Sequence, residues 1–285
     1  MSDISAGAAG TITLGGDLTV NRMGFGAMRI TGEGIWGEPK DPEGAKRVLR
    51  RAVELGVNFI DTADSYGPDV SERLIGETLR PYPPGLVIAT KGGQLRDGPG
   101  RWRPDGRPGH LREVLEGSLR RLGLERIDLY QLHRPDPAVP FEESVGELVR
   151  MRDEGKIRHI GLSNVNGAQL EQALGMTEIV SVQNRFNLAD RSSEAELAAC
   201  ERRGLAFLPW HPLDVGRLAR PGGPLDGLAA ERGATPGQIA VAWLLARSPA
   251  MLPIPGTASV GHLEENLAAA SIRLSPREVE VLAAA

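Results

Sequence analysis

Several apolar runs in this sequence end in side chains that can hold or move a proton. Val57, Phe59 and Ile60 lead into Asp61, and Tyr66 follows before Gly67-Pro68. A buried Asp is costly unless it is paired, and a phenol can act as a proton donor if its surroundings lower its pKa. The run Ala89-Thr90 ends in Lys91, and Gln131-Leu132 ends in His133. Other apolar runs end at Ser163-Asn164, Gln183-Asn184 and Trp210-His211-Pro212. Taken singly, Lys91 reads as a solvated lysine and His133 as a satisfied histidine at a strand end. Together, a carboxylate, an ammonium, a phenol and an imidazole form a general acid aimed at a carbonyl, with the cation drawing the phenol's pKa down.

These residues share a site only if the runs that carry them end on one side of the molecule. The sequence predicts strands at Met23–Met28, Val57–Asp61, Leu86–Thr90, Ile127–Leu132, Ile157–Leu162, Ile179–Gln183, Ala206–Pro209 and Met251–Ile254. Helical periodicity separates them at 42–55, 71–79, 110–122, 141–153, 168–174, 194–203, 236–246 and 262–270, with a last helix at 276–282. Strands apolar on both faces and alternating with amphipathic helices predict a parallel sheet, and about eight such units close a (β/α)8 TIM barrel. Thr11–Leu14 and Asp17–Val20 around Gly15-Gly16 predict a β-hairpin that closes the barrel bottom. Active sites of such barrels lie at the strand C-termini, where the Gly/Pro-rich loops 92–109 and 213–225 would also fall. Nothing marks a second domain, so residues 1–285 are expected to form one barrel, with 1–10 as a loose N-terminus.

The chain has 285 residues, 41% of them hydrophobic and 25% charged, with a net charge of −4. Neither nucleic acid nor an anionic membrane is expected as a partner for such a balance. Cys200 is the one cysteine; it excludes an intrachain disulfide and fits a reducing compartment. No signal peptide or membrane span is evident, and the expected location is cytoplasmic. Gly24-Phe25-Gly26 lacks the third glycine of a dinucleotide fingerprint, so a Rossmann unit is not supported. No metal site is assigned.

With Asp61, Tyr66, Lys91 and His133 in this order at successive strand ends, the chain resembles the aldo-keto reductases. The flanking text agrees: Phe59-Ile60-Asp61-Thr62-Ala63, Ala89-Thr90-Lys91, Asp128-Leu129-Tyr130-Gln131-Leu132-His133 and Gly161-Leu162-Ser163-Asn164. The resemblance runs from about Gly24 to Asn266. It implies that Tyr66 gives the proton, Lys91 tunes it, Asp61 holds Lys91, and His133 orients the carbonyl. It implies NADP(H) as cofactor, with NAD(H) not excluded. Ser163, Asn164 and Gln183 would hold the nicotinamide amide and Trp210 would stack on its ring. Gly26, Met28 and Pro212 join the cofactor set, and Leu213, Gly216 and Leu218 would cover the pyrophosphate. Gly256, Thr257, Ser259, His262, Glu265 and Asn266 would meet the adenosine-phosphate end. Some family members carry Lys where Gly256 stands and Arg where His262 stands; without them, selection against NADH is expected to be weaker.

The substrate expected from the resemblance is a small carbonyl compound. Arg29, Trp36, Trp102 and Arg134 sit on loops that would rim its pocket. Met28-Arg29-Ile30-Thr31-Gly32, Ile35-Trp36-Gly37 and Arg134-Pro135-Asp136 are similar to a bacterial branch that includes pyridoxal reductases. Two other readings share these residues: a redox-sensing module like the channel-associated β subunits, and a lyase using Lys91 as a Schiff base. Oligomeric state is not legible.

Overall fold

A computed structural model describes residues 4–220 and 222–284. Strands β1 (Thr11–Leu14) and β2 (Leu18–Asn21) pair antiparallel as the predicted hairpin. Strands β3 (Phe25–Gly26), β4 (Phe59–Asp61) and β5 (Val87–Gly92) begin the main sheet. A second hairpin follows, β6 (Gln94–Gly98) with β7 (Arg101–Pro104). The main sheet resumes with β8 (Ile127–Leu132), β9 (Ile157–Ser163), β10 (Ser181–Gln183) and β11 (Ala206–Phe207). Its seven strands lie in chain order, all parallel, and curl as a half-barrel.

The segment 251–254 reaches both edges of this sheet. Phe207 N donates to Ala250 O at 2.8 Å and Leu252 N to Phe207 O at 2.9 Å, while Gly24 N donates to Pro253 O at 2.9 Å. The expected eighth strand is therefore a single bridge at Met251 flanked by hydrogen bonds. Two other expected strands are shorter than their apolar text. The run 23–28 keeps two strand residues before turning into a 3₁₀ helix at Ala27–Ile30, and Ala206–Pro209 keeps two. Gly26 and Gly256 explain the tight seam: a Cβ on Gly256 would meet Gly26 O at 2.3 Å, and one on Gly26 would meet Ile254 O at 2.6 Å.

Helices cover the outer face of the sheet: α1 (Pro42–Glu54), α2 (Val70–Leu79), α3 (Pro108–Leu122), α4 (Phe141–Asp153), α5 (Gly167–Met176), α6 (Glu194–Arg203), α7 (Asp226–Arg232), α8 (Pro236–Arg247), α9 (Val260–Ala268) and α10 (Pro276–Ala284). Helix α1 begins where Asp41 accepts from Gly44 N with Pro42 in its first turn, and it buries Ala45, Val48, Leu49 and Ala52. Capping boxes start α5 (Asn166 with Gln169) and α8 (Thr235 with Gln238). Helix α7 directly follows the 213–225 loop and is not among the helices that the periodicity marks. Cys200 lies buried on α6. Among the described residues no helix is long and apolar enough to cross a membrane.

The core divides along the pleat. Phe59, Val87, Ala89, Leu129, Val180, Ala206 and Leu208 form an inner cluster with Leu14, Leu18 and Val20 of the first hairpin. Ile60, Ile88, Tyr130, Leu132 and Ile160 point outward into the larger cluster shared with the helices. Truncating an inner residue such as Leu129 to Ala would cost about 2–5 kcal/mol. Residues 6–9 are expected to be loose, but they form a 3₁₀ helix capped by Ser5. Ala6 N donates to Leu55 O at 2.9 Å, and Ala6 and Ala9 are buried. Residues 1–3 of that expectation lie outside the described residues.

Candidate active site

The two-residue period of a strand builds the site. On the inner face of the sheet, alternation puts Asp61 with Phe59, Lys91 with Val87 and Ala89, and Gln131 with Leu129, with His133 just past the end of β8. The register sets Asp61 against Ala89 and Lys91 against Gln131, with Gln183 against Ser163. An apolar layer thus lies below a polar one at the strand C-termini. Lys91 is fully buried; its Nζ donates to Asp61 Oδ2 at 2.6 Å, to Thr62 O at 2.8 Å and to Tyr66 Oη at 3.4 Å. The other Asp61 oxygen accepts from Gln131 Nε2 at 3.0 Å and from Gln183 Nε2 at 2.8 Å. Gly161 makes room for this layer, since a Cβ there would meet Ser181 Oγ at 2.4 Å and Gln131 Cγ at 2.9 Å. The His133 ring sits edge-on to Tyr66 with centroids 5.8 Å apart. Its Nδ1 shares a hydrogen bond with Ser65 Oγ at 3.3 Å.

Burial and charge set the protonation states. Burial opposes the Lys91 ammonium, but Asp61 and then Tyr66 outweigh it and hold the group above its ordinary range. Burial pushes the Tyr66 phenol up; Lys91 pulls it down, and Asp61 partly cancels that pull. The net direction corrects the expectation of a lowered phenol: burial at the end of the sheet wins, and the group stays protonated at neutral pH. Burial, then Lys91, Arg134 and Arg96, drives His133 well below its ordinary value, so its imidazole is neutral.

Above these residues lies a cavity of about 1140 Å³. Asp61, Tyr66 and His133 line it; Lys91 does not, being sealed behind them. That burial also keeps the amine from the approach a Schiff base needs. Of the residues expected at a cofactor, Gly26, Met28, Ser163, Asn164, Gln183, Trp210, Pro212, Leu213, Gly216, Gly256 and Thr257 line the same cavity. Leu218, Ser259, His262, Glu265 and Asn266 do not. Ser259 caps α9, accepting from His262 N, and Glu265 accepts from the Thr235 hydroxyl at 2.6 Å. Asn164, at φ 58°, donates to His133 O and to Ser163 Oγ, each at 3.0 Å. Arg29, Trp102 and Arg134 line the cavity, whereas Trp36 is 37% exposed and outside it.

Some residues at the site are not singled out by the sequence. Gln131 ties Asp61 down, and a signal for it exists: an amide inside an apolar strand, two positions before His133, needs a partner. Ser65, a loop residue with no role expected from sequence, touches His133. Ile35, Gln94, Pro104, His211, Ile254, Pro255 and Ala258 complete the wall; of these, nothing local in the sequence marks Gln94 or Pro104. Among the described residues no cluster of His, Cys, Asp and Glu is arranged to hold a metal.

Comparison with known proteins agrees with this geometry. The sequence profile described as the Aldo/keto reductase family matches residues 22–285. An uncharacterized oxidoreductase of Schizosaccharomyces pombe is 54% identical over 274 residues, covering 96% of this chain and 89% of its own length. Pyridoxine 4-dehydrogenase of Escherichia coli is 43% identical over 282 residues, covering 96% and 98%. The crystal structure of an aldo/keto reductase from Klebsiella pneumoniae in complex with NADP and acetate superposes with a TM-score of 0.81. That protein is 28% identical, and the match covers 95% of this chain and 93% of the other. A profile match over nearly the whole length, joined to the proton-handling cluster at the strand ends, makes this chain a member of the aldo/keto reductase family.

Proposed function

We propose that the chain is a cytoplasmic, single-domain (β/α)8 barrel enzyme, its floor closed by the first hairpin, that reduces an aldehyde or ketone to an alcohol with NADPH. One observation carries the reading: Lys91 Nζ lies 2.6 Å from Asp61 and 3.4 Å from Tyr66 Oη, behind a cavity that Tyr66 and His133 face. Tyr66, kept protonated by burial, gives its proton to the carbonyl oxygen as negative charge develops there. Lys91 steadies the phenolate left behind, Asp61 with its two glutamine donors fixes Lys91, and neutral His133 donates a hydrogen bond to the same oxygen.

The cavity suits a dinucleotide. Gly26 and Gly256 put main chain on its wall, Trp210 offers a ring face with an unpartnered Nε1, and Gly256-Thr257 precede the N-terminus of α9. When bound, the nicotinamide supplies the hydride. Ser163 and Asn164 would hold its amide, and Gln183 would share its own amide between that group and Asp61. Because Gly256 and His262 offer no fixed cation to a 2′-phosphate, NADPH is preferred over NADH by a modest margin.

The pyridoxine 4-dehydrogenase relative at 43% identity supports pyridoxal as substrate, with pyridoxine as product. The test is NADPH consumption with pyridoxal against a panel of aldehydes, in wild type and Tyr66→Phe. The proposal expects pyridoxal to be turned over faster than generic aldehydes. It expects Tyr66→Phe to lose about 100-fold or more in kcat while binding NADPH normally. Survival of activity in that variant would remove the proton-donor role, and slow pyridoxal turnover would remove the substrate.

A further inference from the structure

Arg96, on β6, has no assigned part in the site, and its guanidinium forms no ion pair among the described residues. Its donors go to main-chain carbonyls on separate stretches of chain. Nη1 donates to Ile35 O at 2.5 Å and to Ser65 O at 3.2 Å; Nη2 donates to Gly34 O at 2.7 Å and to Gly98 O at 3.3 Å. The guanidinium carbon lies 3.7 Å from the centroid of the Trp102 ring. Trp102 in turn stands edge-on to Tyr66 (6.3 Å, 89°) and to His133 (6.3 Å, 66°).

The stretches that Arg96 joins would not hold this arrangement alone. Ile35 sits at φ 58°, a left-handed conformation that a β-branched side chain disfavours, so neighbouring structure must impose it. Gly34 packs against the tip of the second hairpin, where a Cβ would meet Pro99 Cβ at 2.9 Å, and its carbonyl also accepts from Gly100 N. Gly37 N donates to Gly67 O, tying the same turn to the loop that carries Tyr66. Ile35, Gln94, Trp102 and Pro104 all face the cavity, and Arg96 does not.

We propose that Arg96 is a positioning residue that staples the 33–37 turn, the Tyr66 loop and the β6–β7 hairpin together, and so fixes Trp102 as an aromatic wall beside Tyr66 and His133 that favours flat, aromatic carbonyl substrates. The inference rests on the proposed function in one respect: the wall borders the seat of the carbonyl. A lysine keeps the charge but cannot reach several carbonyls with a planar fork while lying on a ring face. A methionine keeps neither.

The test uses the full chain with Arg96→Met, Arg96→Lys and Trp102→Ala. Hydrogen exchange of amides in 33–37 and 94–104 should rise about tenfold in Arg96→Met and less in Arg96→Lys, while amides of the central strands stay unchanged. KM for 4-nitrobenzaldehyde should rise about tenfold in Arg96→Met and in Trp102→Ala, with KM for propanal within about twofold of wild type. Unchanged exchange in both arginine variants overturns the staple. Equal rises in KM for the two aldehydes overturn the wall. If Arg96→Met does not fold, Arg96→Lys and Trp102→Ala carry the same comparisons. If the wild-type chain reduces no carbonyl, the functional reading fails, while hydrogen exchange still decides whether Arg96 holds these segments.

Discussion

The Lys91–Asp61 pair allows a test in which stability and activity part company. Lys91→Met leaves a buried carboxylate with two glutamine donors and no cation; Asp61→Asn leaves a buried ammonium whose remaining acceptors are Thr62 O and Tyr66 Oη. Breaking a buried pair from one side costs about 3–5 kcal/mol. At roughly 2.1 cal/mol/K per residue, the unfolding entropy of this chain is about 0.6 kcal/mol/K, so each single variant should melt about 5–8 °C below wild type. The double variant holds no charge at either position. Its new asparagine still accepts from Gln131 and Gln183, and one amide donor is left facing the new methionine, a residual cost of about 1–3 kcal/mol. The double should therefore be more stable than either single. Catalysis should not recover, because no cation remains beside Tyr66. Thermal unfolding followed by circular dichroism, with NADPH consumption assayed in parallel, measures both. A double variant that loses the sum of the two singles would show that the charges do not depend on each other, and the account of the site would be wrong.

Other outcomes follow from the same structure. Asp64 is buried with Oδ1 unpartnered, and burial, then Glu72, pushes its carboxyl well above the ordinary range. The folded state then holds the extra proton, so this group's contribution is present at low pH and is lost as pH rises toward the raised folded value. Asp64→Asn should raise Tm by about 2–5 °C near neutral pH and by much less near pH ~4; an equal gain at both would refute the linkage. His133 has the opposite sign: its folded value is depressed, so stability is present above about 6.5 and falls below it by up to ~1.4 kcal/mol per pH unit. In urea unfolding, His133→Asn should flatten that slope between pH ~6.5 and ~5; an unchanged slope would mean the imidazole is already charged in the fold. For the cofactor, His262→Arg adds a cation at an exposed helix start and should raise the NADPH-to-NADH ratio of kcat/KM about tenfold. Gly256→Lys, whose Cβ would meet Gly26 O at 2.3 Å, should weaken both cofactors, and a clean gain in NADPH selectivity there would contradict the packing.

The candidate cluster was legible because Asp61, Lys91 and His133 end or directly follow apolar strands at the same end of the sheet, with Tyr66 in the loop after the first of them, and the parallel sheet turns that repeated position into proximity. The strand–helix rhythm was legible for the same reason, although edge strands β3 and β11 keep only part of their apolar text where the chain turns away from its neighbour. Less visible are features that depend on long-range contact. Nothing in Gly92–Gly109 announces that Gln94–Gly98 and Arg101–Pro104 pair, because polar arginines alternate there without an apolar face. The sequence misleads about the phenol because it shows the nearby lysine but not how completely the barrel wall excludes water from Tyr66. Trp36 and Trp102 look equivalent as loop tryptophans, yet the second hairpin carries only Trp102 to the cavity.

The buried thiol on α6 bears on how the protein would age under oxidative stress. Burial, followed by Glu196 and Glu201, pushes Cys200 up to about 12, so almost none of it is thiolate near neutral pH. Peroxides, nitrosating agents and alkylating drugs attack a cysteine through its thiolate. With no second cysteine in the chain, reagents that act on thiols find little here to modify. Activity would then not depend on the state of the surrounding thiol pool, and an inhibitor for this site would find no cysteine in the cavity wall to bond with.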